Sequence, residues 1–236
     1  MVHRNYKLLE LQIKHWRNIP GDYRLLFCDN TPAEHRAPVE YISSLGIDLS
    51  NYHFLDVESE FDCESHGLAL DYLVGKAETK IIGICDSDFF FMRPDVFHLV
   101  ASEFRNGAVC VGTEFFYMDH DPIMPLVPCV IGMFVLRDLA VSDTFALTES
   151  EREGEDRITG WRLRKRLRDE NLVSCVWGGF KTGYPGCDAE TKRHLKSVAF
   201  YGEDAERPIG AHFFRGSSRR SKWTNLMTTV LETRFK

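Results

Sequence analysis

The residues best suited to chemistry close an apolar run, Lys80-Ile-Ile-Gly-Ile-Cys-Asp86-Ser87-Asp88. Alternation along an extended chain sends side chains i and i+2 the same way, so Asp86 and Asp88 are expected to point together. Two like charges side by side repel unless something positive sits between them. In open α/β sheets ligands bind at the carboxyl ends of strands, and a divalent cation carrying a phosphorylated ligand would satisfy both demands. Asp-Ser-Asp is also common in plain turns, where these side chains bond nearby backbone N–H groups. Context favours the metal: a β-branched apolar strand leads in, Phe89-Phe90-Phe91 follows, and Pro94 closes the segment.

The elements that must position this pair can be taken in order. Tyr6, Leu9, Ile13 and Trp16 recur at spacings of three and four, which predicts a helix ending before Pro20-Gly21. Tyr23 to Cys28 reads as a strand running into Asp29-Asn30-Thr31-Pro32. A helix over Pro38 to Leu45, a strand near Tyr52 to Val57, a helix from about His66 to Ala77 capped by Ser65, and a strand from Lys80 to Cys85 follow. Strands alternating with helices predict an α/β fold with a mostly parallel, Rossmann-like sheet flanked by helices. Such a sheet normally begins with a strand, yet only Met1-Val2-His3 precedes the first turn, so the first strand is expected to be short or missing.

Beyond the aspartates, the pattern gives a helix through Val96 to Phe104 and strands over Ala108 to Val111 and Val130 to Leu136, the last carrying Gly132. The aromatic, proline-broken stretch from Thr113 to Pro128 reads as a loop over a site, and its His120 and Asp121 are given no role. An acidic stretch leads into a helix expected from Asp156 to about Arg168, then a strand over Val173 to Trp177. In that helix Ile158, Trp161 and Leu167 form the apolar face, which leaves the basic residues from Arg162 to Arg168 to a solvated face. Gly178 to Gly186 is glycine-rich without the spacing of a phosphate-cradling loop. No internal repeat or low-complexity linker divides the chain, which reads as one domain over residues 1–236.

The composition, 44% hydrophobic and 27% charged in 236 residues, is that of a chain able to bury its own core. No run approaches the ~18 apolar residues of a membrane span. The start, Met1-Val-His-Arg-Asn-Tyr, lacks the apolar stretch of a signal peptide, which leads to an expectation of cytoplasmic residence. Seven cysteines, scattered and without a C-x-x-C pair, are expected to be reduced and buried. Net charge is −6, although residues from Arg193 onward hold nine Lys/Arg against four Asp/Glu. An acidic chain of this kind is not an obvious general nucleic-acid binder. Neither a nucleophile-elbow triad nor a zinc-spaced Cys/His cluster is present.

Four separated features together resemble the GT-A fold of nucleotide-sugar-dependent glycosyltransferases, especially glycosyltransferase family 2. They are Asp86-Ser87-Asp88, the Gly132 region, Gly154-Glu155-Asp156 ahead of Trp161-Arg162-Leu163, and His212. The resemblance implies a nucleotide-binding half over residues 1–112 and an acceptor-binding half over 113–236. It also implies direct ligation of Mn²⁺ or Mg²⁺ by Asp88, with Asp86 near the ribose or a metal-bound water and His212 as a further ligand. Asp29 would contact the base, His66 and Gly67 would approach the nucleotide, and Arg215 or Arg219 would clamp the diphosphate. Asp156 would be the general base of an inverting transfer, with Glu155 orienting the acceptor, and UDP the carrier of the donor sugar. The acceptor hydroxyl is left open among a glycan, a lipid-linked sugar, a protein side chain and a modified nucleic-acid base. Taken as residues alone, His212 equally suits a satisfied core histidine, and Gly-Glu-Asp equally suits a helix cap. Nucleotidyl transfer and nucleotide-sugar binding without turnover are the competing functional readings.

Overall fold

The computed structural model describes residues 5–57, 62–114, 127–146, 159–178, 181–182, 197–201 and 206–213. The first helix, α1, spans Tyr6–Trp16, as its apolar spacing predicts, and is capped by the Asn5 side chain, which accepts from the Leu8 N–H at 3.1 Å. Strand β1 (Phe27–Asp29) pairs in parallel with β2 (Tyr52–Phe54), with α2 (Val39–Ser44) between them. Then come α3 (Asp62–Lys76), β3 (Ile81–Cys85), β4 (Phe89–Phe91), α4 (Val96–Arg105) and β5 (Cys110–Thr113). After these lie β6 (Gly132–Leu136), α5 (Arg137–Ser142), α6 (Trp161–Asp169), β7 (Ser174–Trp177), β8 (Lys181–Thr182), β9 (Ser197–Phe200) and β10 (Gly210–Phe213). No helix among the described residues is long and apolar enough to cross a membrane.

The chain is a mixed α/β protein, but the mostly parallel single sheet expected from the alternation is not what forms. Among the described residues there are three sheets: β1-β2; the mixed sheet β3-β6-β5-β7; and β4-β10-β9-β8. In the second, β6 runs antiparallel to both neighbours, and in the third every pairing is antiparallel. The physical reason lies in the connections. A buried apolar run suits either strand direction, whereas a parallel return needs a crossover, usually helical. Between β5 and β6 the sequence is broken by Pro122, Pro125 and Pro128 and has no helical period, so the chain comes back antiparallel.

Several boundaries also move. β1 begins only at Phe27, and α3 starts at Asp62, which puts Ser65 inside the helix rather than at its cap. The helix expected to open at Asp156 begins at Trp161, because Gly160 before it takes the left-handed conformation at φ 77° and its N–H bonds the Phe145 carbonyl at 3.1 Å. The strand expected over Val130 to Leu136 forms as β6 from Gly132 on. Arg164 leaves the solvated face assigned to it: it is 2% exposed and reaches the Val127 carbonyl at 3.3 Å. Cys28, Cys110 and Cys129 are buried free thiols, as expected, and Cys85 and Cys175 are partly buried and free.

An aromatic cluster joins the two four-stranded sheets. All three phenylalanines of β4 are fully buried. Phe91 meets Trp16, Phe134 and Trp177 at ring-centroid distances of 5.6, 5.2 and 6.3 Å. Phe89 lies between Gly132 of β6 and Gly210 of β10, and a Cβ at Gly132 would stand 2.6 Å from its ring. Glycine at these positions is what lets the two strands close on one ring.

His15 of α1 is packed edge-to-face against Phe90 at 5.1 Å, and burial pushes its pKa down to about 4 against a weaker backbone hydrogen bond with Phe91. The folded state therefore holds it neutral while the unfolded chain protonates near 6.5. Its stabilising contribution is complete above that value and is lost as pH falls towards 4, on the order of 3 kcal/mol. Urea unfolding at pH 7.5 and pH 5 is expected to show this loss in the natural chain and a flatter pH dependence in His15→Gln.

Candidate metal centre

The turn that follows β3 is held from four sides. The Phe89 N–H closes it onto the Asp86 carbonyl at 3.1 Å, and the Asp86 N–H donates to Ile131 at 2.9 Å. From α1, the Gln12 amide donates to the carbonyls of Ser87 at 2.8 Å and Phe89 at 2.7 Å. From the far end of the chain, β10 pairs antiparallel with β4 in the register His212↔Phe89, and the Phe213 N–H donates to the Asp88 carbonyl at 2.9 Å. The backbone thereby fixes where all three side chains emerge.

Asp86, Asp88 and His212 each offer a ligand atom, and these atoms lie within 4.8 Å of one another. His212 Nε2 stands 3.0 Å from Asp88 Oδ1, with both side chains buried. His66 of α3 approaches from the other side, its Nε2 3.3 Å from Asp86 Oδ1. Burial pushes the Asp86 carboxyl up; His66 opposes this and Asp88 adds to it. For His212 burial lowers the pKa, but the charge of Asp88, its hydrogen bond and the charge of Asp86 outweigh burial and raise it. At His66 burial wins over the attraction of Asp86, so its pKa is lowered. Cys85, at the end of β3, is pushed up by burial and by Asp86, which keeps it a thiol.

The donor set fits a hard divalent cation. Two carboxylate oxygens and one imidazole nitrogen suit Mn²⁺, with Mg²⁺ admissible. Asp88 Oδ1 and His212 Nε2, 3.0 Å apart, are hydrogen-bonded to one another. His66 occupies the place of a supporting partner that orients a ligating carboxylate.

Other residues singled out in the sequence fare differently. Asp29 does not face a ligand: it is fully buried, and its carboxylate accepts from Tyr6 at 2.9 Å, Tyr52 at 2.7 Å and the Thr31 N–H at 2.9 Å. The expected contact with a nucleotide base is therefore replaced by a knot that ties α1, β1 and β2. Gly67 lies buried in α3 where a Cβ would come 2.5 Å from the Ala146 backbone, so its lack of a side chain serves packing. Glu155, Asp156, Arg215 and Arg219 lie outside the described residues, as do His120 and Asp121. Gln12 was missed by sequence reasoning, although its signal was there: a polar residue on the apolar face of α1, three and four residues from Leu9 and Trp16.

No family model matches the chain, and no curated protein matches it. Among solved structures, the chain shows a remote similarity to A197 from STIV, at 13% identity and a TM-score of 0.38, over 66% of this chain and 82% of that one.

A metal ligand must be unprotonated. In the metal-free chain the raised pKa of His212 contributes stability that is complete below the ordinary histidine value and is lost as pH rises through the folded one. Cation binding has the opposite sign and should strengthen as pH rises through that same value. Calorimetric titration with Mn²⁺ between pH 6 and 8 is expected to show this rise. His66→Gln should weaken Mn²⁺ binding about tenfold while leaving the rise in place, since it removes a supporting partner rather than a ligand.

Proposed function

We propose that this chain is a divalent-cation-dependent glycosyltransferase with a GT-A-like site, which moves a sugar from a nucleoside diphosphate, preferably UDP, to an acceptor hydroxyl with inversion. The observation that carries this reading is the convergence of Asp86, Asp88 and His212 at the carboxyl end of an apolar strand. It brings together the two most distant of the four features on which the resemblance rests.

In this reading the C1–O bond to the β-phosphate breaks as the acceptor oxygen attacks C1 from the opposite face. The acceptor proton passes to Asp156, with Glu155 orienting the incoming hydroxyl. A divalent ion supplies neutralisation of the charge that develops on the leaving diphosphate. Asp88, in the turn directly before β4, and His212, on β10, present their ligand atoms from backbone locked by the β4–β10 register and the Phe213 N–H bond to Asp88, so neither needs to reorganise when charge develops. Asp86 is aimed by His66, and Arg215 or Arg219 adds positive charge beside the diphosphate. Nucleotidyl transfer, which uses similar carboxylates, is the second reading.

The test is thermal melting with UDP, GDP, CDP and dTDP, each with and without Mn²⁺, on the natural chain and Asp88→Ala. A ligand at about 100 times its Kd stabilises the native state by about 2.7 kcal/mol, which for a chain of this size raises Tm by about 5 to 10 °C. A Mn²⁺-dependent rise with one nucleotide, lost in Asp88→Ala, is the expected result. No shift with any of the four sinks the reading. Asp156→Asn is expected to keep that binding and to lose transfer, and full activity in this variant would exclude Asp156 as the base.

A further inference from the structure

Three strands end along one edge of the sheet that carries the metal centre. β3 and β5 both run antiparallel to β6, and β7 runs parallel to β5, so the carboxyl ends of β3, β5 and β7 lie together. Asp86 directly follows β3 and Glu114 directly follows β5. Ile84 and Gly112 both pair with Met133, and Gly112 also pairs with Val176, which sets these residues in one row across the sheet. Side chains two residues on return to the same face, so Asp86 and Glu114 stand on the face that carries Ile84. Backbone hydrogen bonds carry this order past the strand ends. The Glu114 N–H donates to the Trp177 carbonyl at 3.1 Å, the Cys129 N–H to Thr113 at 2.8 Å and the Asp86 N–H to Ile131 at 2.9 Å. Two strand spacings separate the backbones of the two acids by about 10 Å, which leaves room for one sugar ring between their carboxylates.

Glu114 is held at its backbone but not at its carboxylate. The residue is half-buried, and among the described residues its carboxylate has neither a hydrogen bond nor an ion pair. Gly178, just past the end of β7, lies beside it: a Cβ there would stand 3.1 Å from Glu114 Oε2, which places that oxygen on the same face and leaves its flank clear of any side chain. From Asp86 the described sheet extends in one direction only, through β6 to β5 and β7, so Glu114 is the next carboxylate met along the carboxyl edge. A carboxylate accepts hydrogen bonds and donates none, and its two oxygens can take two hydroxyls. The same group repels a second carboxylate, which makes it a means of rejection as well as of binding.

On the glycosyltransferase reading above, in which the ion at Asp86 and Asp88 meets the diphosphate, we infer that Glu114 selects the donor sugar. It accepts from a pair of hydroxyls on a neutral hexose lying between it and the metal centre, and it turns away a sugar that carries its own carboxylate. The diphosphate end is set by the Asp86 turn and the far side of the ring by Glu114, both fixed by the same ladder of backbone hydrogen bonds. Glu114 touches neither the nucleotide nor the ion in this arrangement, so its contribution is confined to the sugar.

The test is calorimetric titration of the full chain in Mn²⁺ with UDP, UDP-glucose, UDP-galactose and UDP-glucuronate, on the natural chain, Glu114→Gln and Glu114→Ala. The natural chain is expected to bind one of the two UDP-hexoses at least about tenfold more tightly than UDP-glucuronate. Both variants should bind UDP as the natural chain does while losing about tenfold in affinity for that hexose. In Glu114→Gln, which keeps the shape and removes the charge, UDP-glucuronate should gain on the hexose. Unchanged hexose affinity in both variants overturns the inference, as does a natural chain that binds UDP-glucuronate as tightly as either hexose. Loss of UDP binding in the variants also overturns it, because Glu114 would then act on the fold or the metal centre. Absence of UDP binding in the natural chain is a different failure: it removes the donor reading itself, and the sugar assignment falls with it.

Discussion

Everything at the candidate centre depends on one turn being held still. Asp86 and Asp88 are neighbours in sequence, but a metal centre needs His212 as well, 124 positions beyond Asp88. The chain solves this with backbone hydrogen bonds. β4 begins at once after the turn, and β10 pairs with it in a register that sets His212 opposite Phe89. A slip of one residue would send His212 to the other face of the sheet, so the burial of Phe89 and Phe91 against one side also fixes the histidine. Gln12 then secures the turn from below, because both of its amide hydrogens are used on carbonyls of that turn.

Packing and chemistry share residues here. Phe89, next to Asp88, is the ring on which Gly132 and Gly210 close, and these belong to different sheets. Any displacement of the ring moves β6 and β10 together, and with them the Ile131 carbonyl that holds Asp86 and the strand that carries His212. The aromatic cluster running through Phe91, Trp16 and Trp177 anchors the same face of that short strand. A centre built of three side chains is thus supported by a rigid apolar layer rather than by loops.

Local patterns were legible in the sequence; the long-range pairings were not. The 3.6-residue spacing of Tyr6, Leu9, Ile13 and Trp16 gives α1 and its end before Pro20-Gly21, and the run before Asp86 gives β3 almost to the residue. The period of a strand led to the expectation that Asp86 and Asp88 point together, yet they come together in the turn after β3, and the convergence with His212 followed only from a resemblance. Strand direction was lost, because an apolar run carries no sign of its partner's orientation, and β6 entered reversed between β3 and β5. Phe89-Phe90-Phe91 was seen as a hydrophobic sequel to the motif, yet it is the strand that recruits β10. Arg164 shows the limit of helical-face reasoning: a basic run looks solvated, but Leu163 and Leu167 turn inward and take Arg164 with them.

The acids near the strand ends show how burial separates structural from chemical carboxylates. Asp29 is the most deeply buried of the three, yet its two oxygens receive two tyrosine hydroxyls and one N–H, all neutral donors supplied by the fold. Such a carboxylate is complete without a cation. Asp86 and Asp88 are each met by an imidazole, and the two histidines are driven in opposite directions, His212 towards its charged form and His66 away from it. Among the described residues, two acids stand near one another beside a single raised imidazole, and burial pushes the Asp86 carboxyl up. Water cannot fully repair that imbalance at side chains as buried as Asp88 and His212. A divalent cation can, and it would do so with the atoms the backbone has already brought together.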